Sequence, residues 1–265
     1  MHNVRLEVAY DGAEFHGWQR QDGFVSVQET LEDAVENLLG ERVTVFGSGR
    51  TDAGVHALRQ VANFHVVTEL VDDRLRHALN AHLPESVVVR RLETCADDFH
   101  ARFSATGKRY LYVVATTRFR PPIGRAHLSW ICQSLDFEAM QHAARDLIGE
   151  HDFQGLSSLG SKPTTTVRRV RALRWIRRRE RLAFVIEADG FLYNMVRAIA
   201  GTLLDIGRGR LERNAIAQVL DSGDRGAVGP TAPAEGLYLL RVLYGEGTFA
   251  RPDRGPAGVP GVFQP

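Results

Sequence analysis

Apolar spacing switches back and forth between two periods along the first third of this chain, and that alternation limits it to folds that layer helices on a sheet. Val4-Arg5-Leu6-Glu7-Val8-Ala9-Tyr10 reads as a strand. Ser26-Val27-Gln28-Glu29 has the form of a capping box. It opens a helical run through Leu31, Ala34, Val35, Leu38 and Leu39, closed by Gly40. Arg42-Val43-Thr44-Val45-Phe46 and Gln60-Val61-Ala62-Asn63-Phe64-His65-Val66 read as two further strands. Asp72 or Asp73 is placed to cap a second helix through Leu75, Ala78 and Leu79, and Pro84 stops it. Val87-Val88-Val89 begins the next strand. The resulting order, β-α-β-β-α-β, is ferredoxin-like.

The second half repeats the theme loosely. Arg109 to Val114 reads as a strand, followed by a long connection through Pro121-Pro122. Asp136-Phe137-Glu138 opens a helix carrying Met140, Ala143, Ala144, Leu147 and Ile148. Arg168 to Arg179 and Leu182 to Glu187 read as a hairpin. An apolar helix runs from Phe191 to Ile206, a shorter one from Ala215 to Leu220, and a last strand from Leu237 to Tyr244. The expected fold is α/β (α+β), with two ferredoxin-like halves, a largely antiparallel central sheet and flanking helices. Residues 1–105 form the first half, 106–245 the second, and the Gly- and Pro-rich stretch 246–265 is expected to be disordered.

Between the two middle strands of the first half lies Gly47-Ser48-Gly49-Arg50-Thr51-Asp52-Ala53-Gly54-Val55-His56-Ala57. Its glycines permit positive φ and close approach of backbone to a ligand. Arg50 is placed to keep Asp52 ionised and aimed. Such a carboxylate can serve as nucleophile or base. Equally, an Arg-Asp pair can simply staple a tight turn. No second acid shares the motif, as a glycosidase would want. Phosphate-binding, nucleophile-elbow and zinc-protease signatures are absent from the sequence.

With 33 basic and 32 acidic residues the net charge is only +1, so distribution matters more than the sum. Arg168, Arg169, Arg171, Arg174, Arg177, Arg178, Arg179 and Arg181 crowd one segment with Glu180 as the single acid among them. Further basic residues recur at Arg102, Lys108, Arg109, Arg118, Arg120 and Arg125. A locally basic face fits a phosphate backbone. A solvated strand pair explains the arginines equally well, since a strand alternates its faces. Cys95 and Cys132 lack partners at metal-ligand or disulfide-framework spacing, so no metal is expected and a reducing cytoplasm fits. The chain opens on a strand without an apolar signal core, and no apolar run is long enough to span a membrane.

The Asp52 loop resembles the signature G-x-G-R-T-D-A-G-V-H-A of the TruA family of tRNA pseudouridine synthases. Tyr10-Asp11-Gly12 with Phe15-His16-Gly17-Trp18-Gln19-Arg20-Gln21 resembles that family's opening, and Val27-Gln28 and Leu31-Glu32 continue it. Similar blocks follow in the family's order: Phe99-His100-Ala101-Arg102-Phe103-Ser104-Ala105, Lys108-Arg109-Tyr110-Leu111-Tyr112, Gly149-Glu150-His151-Asp152-Phe153, Gly190 to Arg197, and Thr231 to Leu239. The resemblance implies a pseudouridine-synthase fold and a cofactor-free isomerase. It implies action on uridines at positions 38 to 40 of the tRNA anticodon stem-loop, and a homodimer. It assigns Asp52 as the nucleophile, with Arg50 and Arg197 as catalytic arginines. It makes Arg197 the partner of Asp52, Tyr110 a base-stacking aromatic and Leu237 the apolar residue closing the pocket. Whether Asp52 attacks ribose, attacks uracil or abstracts a sugar proton stays open. Read without the family, Tyr110 is a buried strand tyrosine and Leu237 a core strand residue. His56, His100 and His151 receive no chemistry, and Leu128, Trp130 and Ile131 are candidates for a dimer interface.

Overall fold

The computed structural model describes residues 1–158 and 163–245. The proposed tail at 246–265 lies outside them. In chain order the first elements are β1 (His2–Tyr10), α1 (Val27–Leu39), β2 (Phe46–Gly47), β3 (His56–Val66), α2 (Asp72–His82) and β4 (Val87–Cys95). They are followed by β5 (Gly107–Ala115), β6 (Ser129–Trp130), α3 (Phe137–Arg145), β7 (Gly149–Asp152), β8 (Val167–Arg178) and β9 (Arg181–Ala188). The last are α4 (Met195–Gly207), α5 (Ala215–Ser222) and β10 (Leu237–Leu243). The class is mixed α/β. Among the described residues two compact units emerge, Met1–Thr106 together with 238–245, and Gly107–Leu237.

The first unit shows the β-α-β-β-α-β order. β1 lies between β3 and β4, antiparallel to both, and Tyr238 and Leu239 of β10 pair in parallel with His56 and Ala57 of β3. Val4, Leu6, Val8 and Tyr10 of β1 are buried apolar residues, whereas Asn3, Arg5 and Glu7 put polar groups at the intervening positions. The Ser26 hydroxyl accepts the Glu29 N–H at 3.3 Å, and Gly40 closes α1 in the left-handed conformation at φ 71°.

Two expectations for this unit need correction. Residues 42–45 are not a strand, and only Phe46–Gly47 pairs with β3. Val43 and Val45 are buried all the same, and the Val45 N–H is claimed by the Glu32 carboxylate at 3.1 Å in place of a ladder partner. The second helix is capped by neither Asp72 nor Asp73, since its N-cap is Val71. The Asp72 carboxylate instead takes the Thr94 N–H and hydroxyl, each at 2.8 Å, and so ties α2 to β4.

In the second unit β5 pairs antiparallel with β9, β9 with β8 and β8 with β7, and the short β6 runs parallel to β5. The β8–β9 hairpin turns through Arg179 and Glu180, with Arg179 at φ 51°. Asp136 caps α3 through the Ala139 N–H at 2.9 Å. That helix ends at Arg145, short of the expected Ile148, because the Asp146 and Ile148 N–H groups bond only three residues back, to the Ala143 and Arg145 carbonyls, before Gly149 opens β7 at φ 117°. α4 begins at Met195 and not at Phe191, because Asn194 precedes it at φ 60° and cannot continue a right-handed helix. Leu128 and Ile131, proposed for an interface, are buried at 4% and 3% exposure in the single chain, and the Trp130 indole N–H donates to the Thr117 carbonyl. Among the described residues near them, it is Phe119 and Ile123 that stand exposed.

Candidate active site

Asp52 sits half-buried on a loop whose backbone is held from both sides. The Trp18 N–H donates to the Thr51 carbonyl at 3.0 Å, and the Gly54 N–H to the Phe15 carbonyl at 3.3 Å. The Thr51 hydroxyl bonds the Tyr10 hydroxyl at 2.8 Å. Burial pushes the Tyr10 phenol's pKa up, so it stays a neutral hydrogen-bonding group. Upstream, the Ser48 hydroxyl meets Gln60 Oε1 at 2.6 Å, and Gln60 Nε2 donates to the Gly49 carbonyl at 2.8 Å. The opening segment fits only because its glycines leave room. A Cβ on Gly17, at φ 95°, would stand 2.5 Å from the Thr51 carbonyl oxygen, and one on Gly12 would stand 2.1 Å from that of Val55. Gly47 clears the Trp18 ring, and Gly54 takes φ 78°, so the motif's glycines serve space in one place and conformation in another.

A polar network centred on Gln28 and Glu32 braces the segment around Trp18. Glu32 is fully buried, a costly state for a carboxylate unless its oxygens are satisfied. Its Oε1 accepts Gln28 Nε2 and the Val45 N–H, both at 3.1 Å, and its Oε2 accepts Arg20 Nη1 at 2.9 Å. Gln28 Oε1 takes Gln19 Nε2 and the Arg20 N–H. These residues are structural anchors that fix the segment around Trp18 on α1. A Gln and a Glu one helical turn apart on an otherwise apolar face were the available signal.

Arg50 is exposed and makes no hydrogen bond or ion pair among the described residues. It does not staple the loop, and the expected Arg50–Asp52 pairing is absent. The loop backbone is fixed by the hydroxyls, Gln60 and the glycine contacts. His56 is buried, with its ring stacked on Tyr238 at 4.7 Å and its Nδ1 3.0 Å from both the Gly12 nitrogen and Asp11 Oδ1.

The other predicted residues belong to the second unit. Arg197 is the only residue of α4 that is not buried. Its Nε donates to the Ala232 carbonyl at 2.7 Å and its Nη1 to Asn194 Oδ1 at 2.9 Å. Asn194 in turn donates to the Ser158 hydroxyl at 3.0 Å, and Arg225 braces the same turn through the Ser157 carbonyl and the Thr231 hydroxyl. Tyr110 lies on β5 opposite Ile186, 8% exposed, with the Phe191 ring edge-on at 5.0 Å. Leu237 is 6% exposed and follows Gly236, whose missing Cβ leaves room for the Tyr112 ring. The Tyr112 hydroxyl donates to the Pro233 carbonyl at 3.0 Å. His151 is half-buried against Phe153 and bonds the Ile148 carbonyl.

The arginine-rich hairpin divides into occupied and open side chains. Arg169 pairs with Glu150 at 2.9 Å, Arg168 bonds the Thr165 and Val167 carbonyls, and the Arg177 guanidinium lies 5.5 Å over the Phe137 ring. Arg174, Arg178 and Arg179 have no side-chain partner among the described residues.

Residues 7–104 and 143–245 match the protein family described as tRNA pseudouridine synthase. A tRNA pseudouridine synthase A from Acetivibrio thermocellus is 44% identical over 244 residues, covering 92% of this chain and all of the relative. One from Thermoanaerobacter sp. is also 44% identical with the same coverage, and one from Maricaulis maris is 42% identical over 245 residues, covering 92% of this chain and 98% of the relative. Among solved structures, the archaeal box H/ACA sRNP Nop10-Cbf5 complex aligns at 10% identity and a TM-score of 0.36, over 87% of this chain and 62% of that one, too remote to argue from. With relatives matched over their whole length and a family match spanning most of the chain, including the Asp52 loop and the start of α4, this chain belongs to the tRNA pseudouridine synthase family.

Proposed function

We propose that this chain isomerises uridine to pseudouridine in tRNA, at positions 38 to 40 of the anticodon stem-loop, with Asp52 as the nucleophile and without a cofactor. The observation that carries the reading is a half-buried carboxylate on a loop backbone fixed by its neighbours, in a chain of this family. The balance of the reaction closes on itself. The bond from uracil N1 to the ribose C1′ breaks, a bond from C5 to C1′ forms, the C5 proton leaves to water and N1 takes one up. No electron, phosphate or water is consumed. An ionised Asp52 serves equally in attack on C1′, attack on the base or removal of a sugar proton.

In this reading Arg197 supplies the cation for Asp52, and its guanidinium is already oriented by Asn194 and the Ala232 carbonyl. Tyr110 stacks on the uracil after the nucleotide leaves its helix, as enzymes that act on bases require. Leu237 closes the apolar side of the pocket. Arg50, exposed at the loop, meets the phosphate or fills the space left by the flipped nucleotide. The open arginines of the β8–β9 hairpin take phosphates of the RNA. A second copy of the chain completes a homodimer, and the setting is the cytoplasm. No helix among the described residues is long and apolar enough to cross a membrane.

The test is tRNA carrying tritium at uracil C5. An isomerase releases tritium to water, a tRNA-binding protein without catalysis releases none, and a nucleoside hydrolase frees labelled uracil. The site within tRNA follows from repeating the assay on substrates with single uridines replaced in the anticodon stem-loop.

A further inference from the structure

The loop between β4 and β5 presents an exposed ring on an immobilised backbone. Phe103 is 76% exposed. Its centroid lies 4.4 Å from that of His100, which lies 5.3 Å from Phe46, itself 42% exposed. The Arg102 guanidinium stands 5.6 Å from the Phe103 ring centre. An exposed phenylalanine on a loose loop would collapse onto the nearest apolar surface, and this one is prevented from doing so. The Ala101 N–H donates to the buried Asn63 Oδ1 at 2.9 Å, and the Ala101 carbonyl accepts the Tyr244 hydroxyl at 2.6 Å. Asn3 Nδ2 holds the Phe99 carbonyl at 2.8 Å. The Ser104 N–H donates to the His100 carbonyl, and the His100 N–H returns a bond to the Ser104 hydroxyl. His100 Nδ1 accepts the Arg102 and Phe103 N–H groups at 3.1 and 3.4 Å, which assigns its ring proton to Nε2 as a donor. None of these bonds serves the chemistry proposed for Asp52, yet together they fix the direction in which Phe103 projects.

We propose that Phe103, His100 and Phe46, with Arg102, form a stacking platform for an unpaired nucleobase of the RNA substrate. The proposal rests on the reading of this chain as a tRNA-modifying enzyme. The chemistry favours a base over an aliphatic protein segment, since the surface offers flat ring faces, a ring N–H donor and a guanidinium able to reach a phosphate. Asp97 and Asp98 precede the loop, so net charge does not carry the argument and the ring faces do. The position is apt, because Phe46 is the residue immediately before Gly47, where the Asp52 loop begins, and it pairs across β2 and β3 with the same Asn63 that holds Ala101. A base stacked here would anchor the RNA on the unit that carries Asp52.

The test uses the full chain with Phe103→Ala, Phe103→Leu and Phe103→Trp, measuring tRNA affinity by direct binding and, separately, KM and kcat for tritium release. Base stacking predicts that Ala and Leu both weaken tRNA binding by about five- to hundredfold. It also predicts a KM that rises in step, kcat at saturating tRNA within about twofold of the parent, and Trp at or above parental affinity. Equal affinity of Ala and parent overturns the proposal. Full rescue by Leu also overturns it, because apolar bulk without a ring face would then suffice. A changed oligomeric state of Phe103→Ala in sedimentation overturns it in favour of a protein contact. A parent that binds tRNA but releases no tritium would sink the isomerase reading while leaving the affinity comparison intact.

Discussion

Asp52 and Arg197 are both half-buried charged side chains, one in each unit, and the fold fixes them by opposite means. The Asp52 region is a backbone device. Main-chain bonds from Trp18 and Gly54, hydroxyl contacts at Thr51 and Ser48, and the bare glycines at 12 and 17 fix the path of the loop. The Arg197 region is a side-chain device. Its backbone is part of the regular helix α4, and the guanidinium is aimed by Asn194 Oδ1 and the Ala232 carbonyl. A short side chain has little freedom once its backbone is set, whereas a long one must be held along its length. The two regions should therefore fail under different substitutions.

The largest effect is expected at the charge itself. Asp52→Asn keeps the loop's shape and removes the carboxylate's charge. Tritium release should fall by about 10³-fold or more, with tRNA affinity within about tenfold because phosphate contacts supply most of it. Turnover near the parental rate would remove Asp52 from the mechanism. Next comes the clamp. Gly17→Ala places a methyl 2.5 Å from the Thr51 oxygen on a backbone at φ 95°. We expect a loss of about 1–3 kcal/mol in thermal or urea unfolding, with reduced turnover. An undisturbed Tm and rate would show that the loop is not held as described.

Tyr110 tests the base-binding role in the second unit. Tyr110→Phe should keep the stack, while Tyr110→Ala should lose about 1–3 kcal/mol of transition-state binding in kcat/KM. Equal damage from both would shift the role from ring to hydroxyl. Asn194→Gly probes the side-chain device directly, because glycine tolerates φ 60° and the change removes the side-chain bonds to Arg197 and Ser158 without straining the backbone. About a tenfold drop in kcat with unchanged tRNA affinity is expected, the low end for a hydrogen bond to a charged group. Asn194→Ala should add a stability cost of about 1–2 kcal/mol from the left-handed backbone. A Gly variant with parental kcat would mean that Asn194 does not aim Arg197.

The smallest effect on turnover is expected from replacing Arg177, Arg178 and Arg179 together by Ala. The plot of log affinity against log salt should lose slope by up to about 0.9 per phosphate contact, a figure borrowed from duplex DNA. With Arg177 occupied by Phe137, most of the loss should come from Arg178 and Arg179. Unchanged affinity and slope would return the hairpin to a solvated strand pair.

Legibility followed the range of the interactions. The helix starts at Ser26 and Asp136 and the stop at Gly40 were readable, because a cap is decided within one turn of chain. The β8–β9 hairpin and the element order of the first unit were likewise carried by local periodicity. Residues 42–45 misled because alternating valines look the same whether backbone partners are strands or a buried carboxylate. Only Glu32, reaching from α1, decides between the two. The start of α4 was misplaced for a related reason. Apolar spacing runs unbroken through Phe191 and Leu192, while the left-handed turn at Asn194 is fixed by bonds to Ser158 and Arg197.

Charges at costly places, among them Asp52 between glycines and Arg197 on an apolar helix, are legible in the chain alone, because the cost of an isolated charge among apolar neighbours can be read from composition and spacing. Which group meets which was decided by tertiary structure alone. Nearness in the chain makes Arg50 a group that keeps Asp52 ionised and aimed, while the family resemblance makes Arg197 its partner; the Arg50 side chain is exposed, and the loop is held by Tyr10, Gln60 and the bare faces of Gly12 and Gly17. Hydrogen bonds depend on distances of a few ångströms in space, and neighbours along a chain at a tight turn project their side chains apart, so pairing is settled only when distant strands and helices close around the loop.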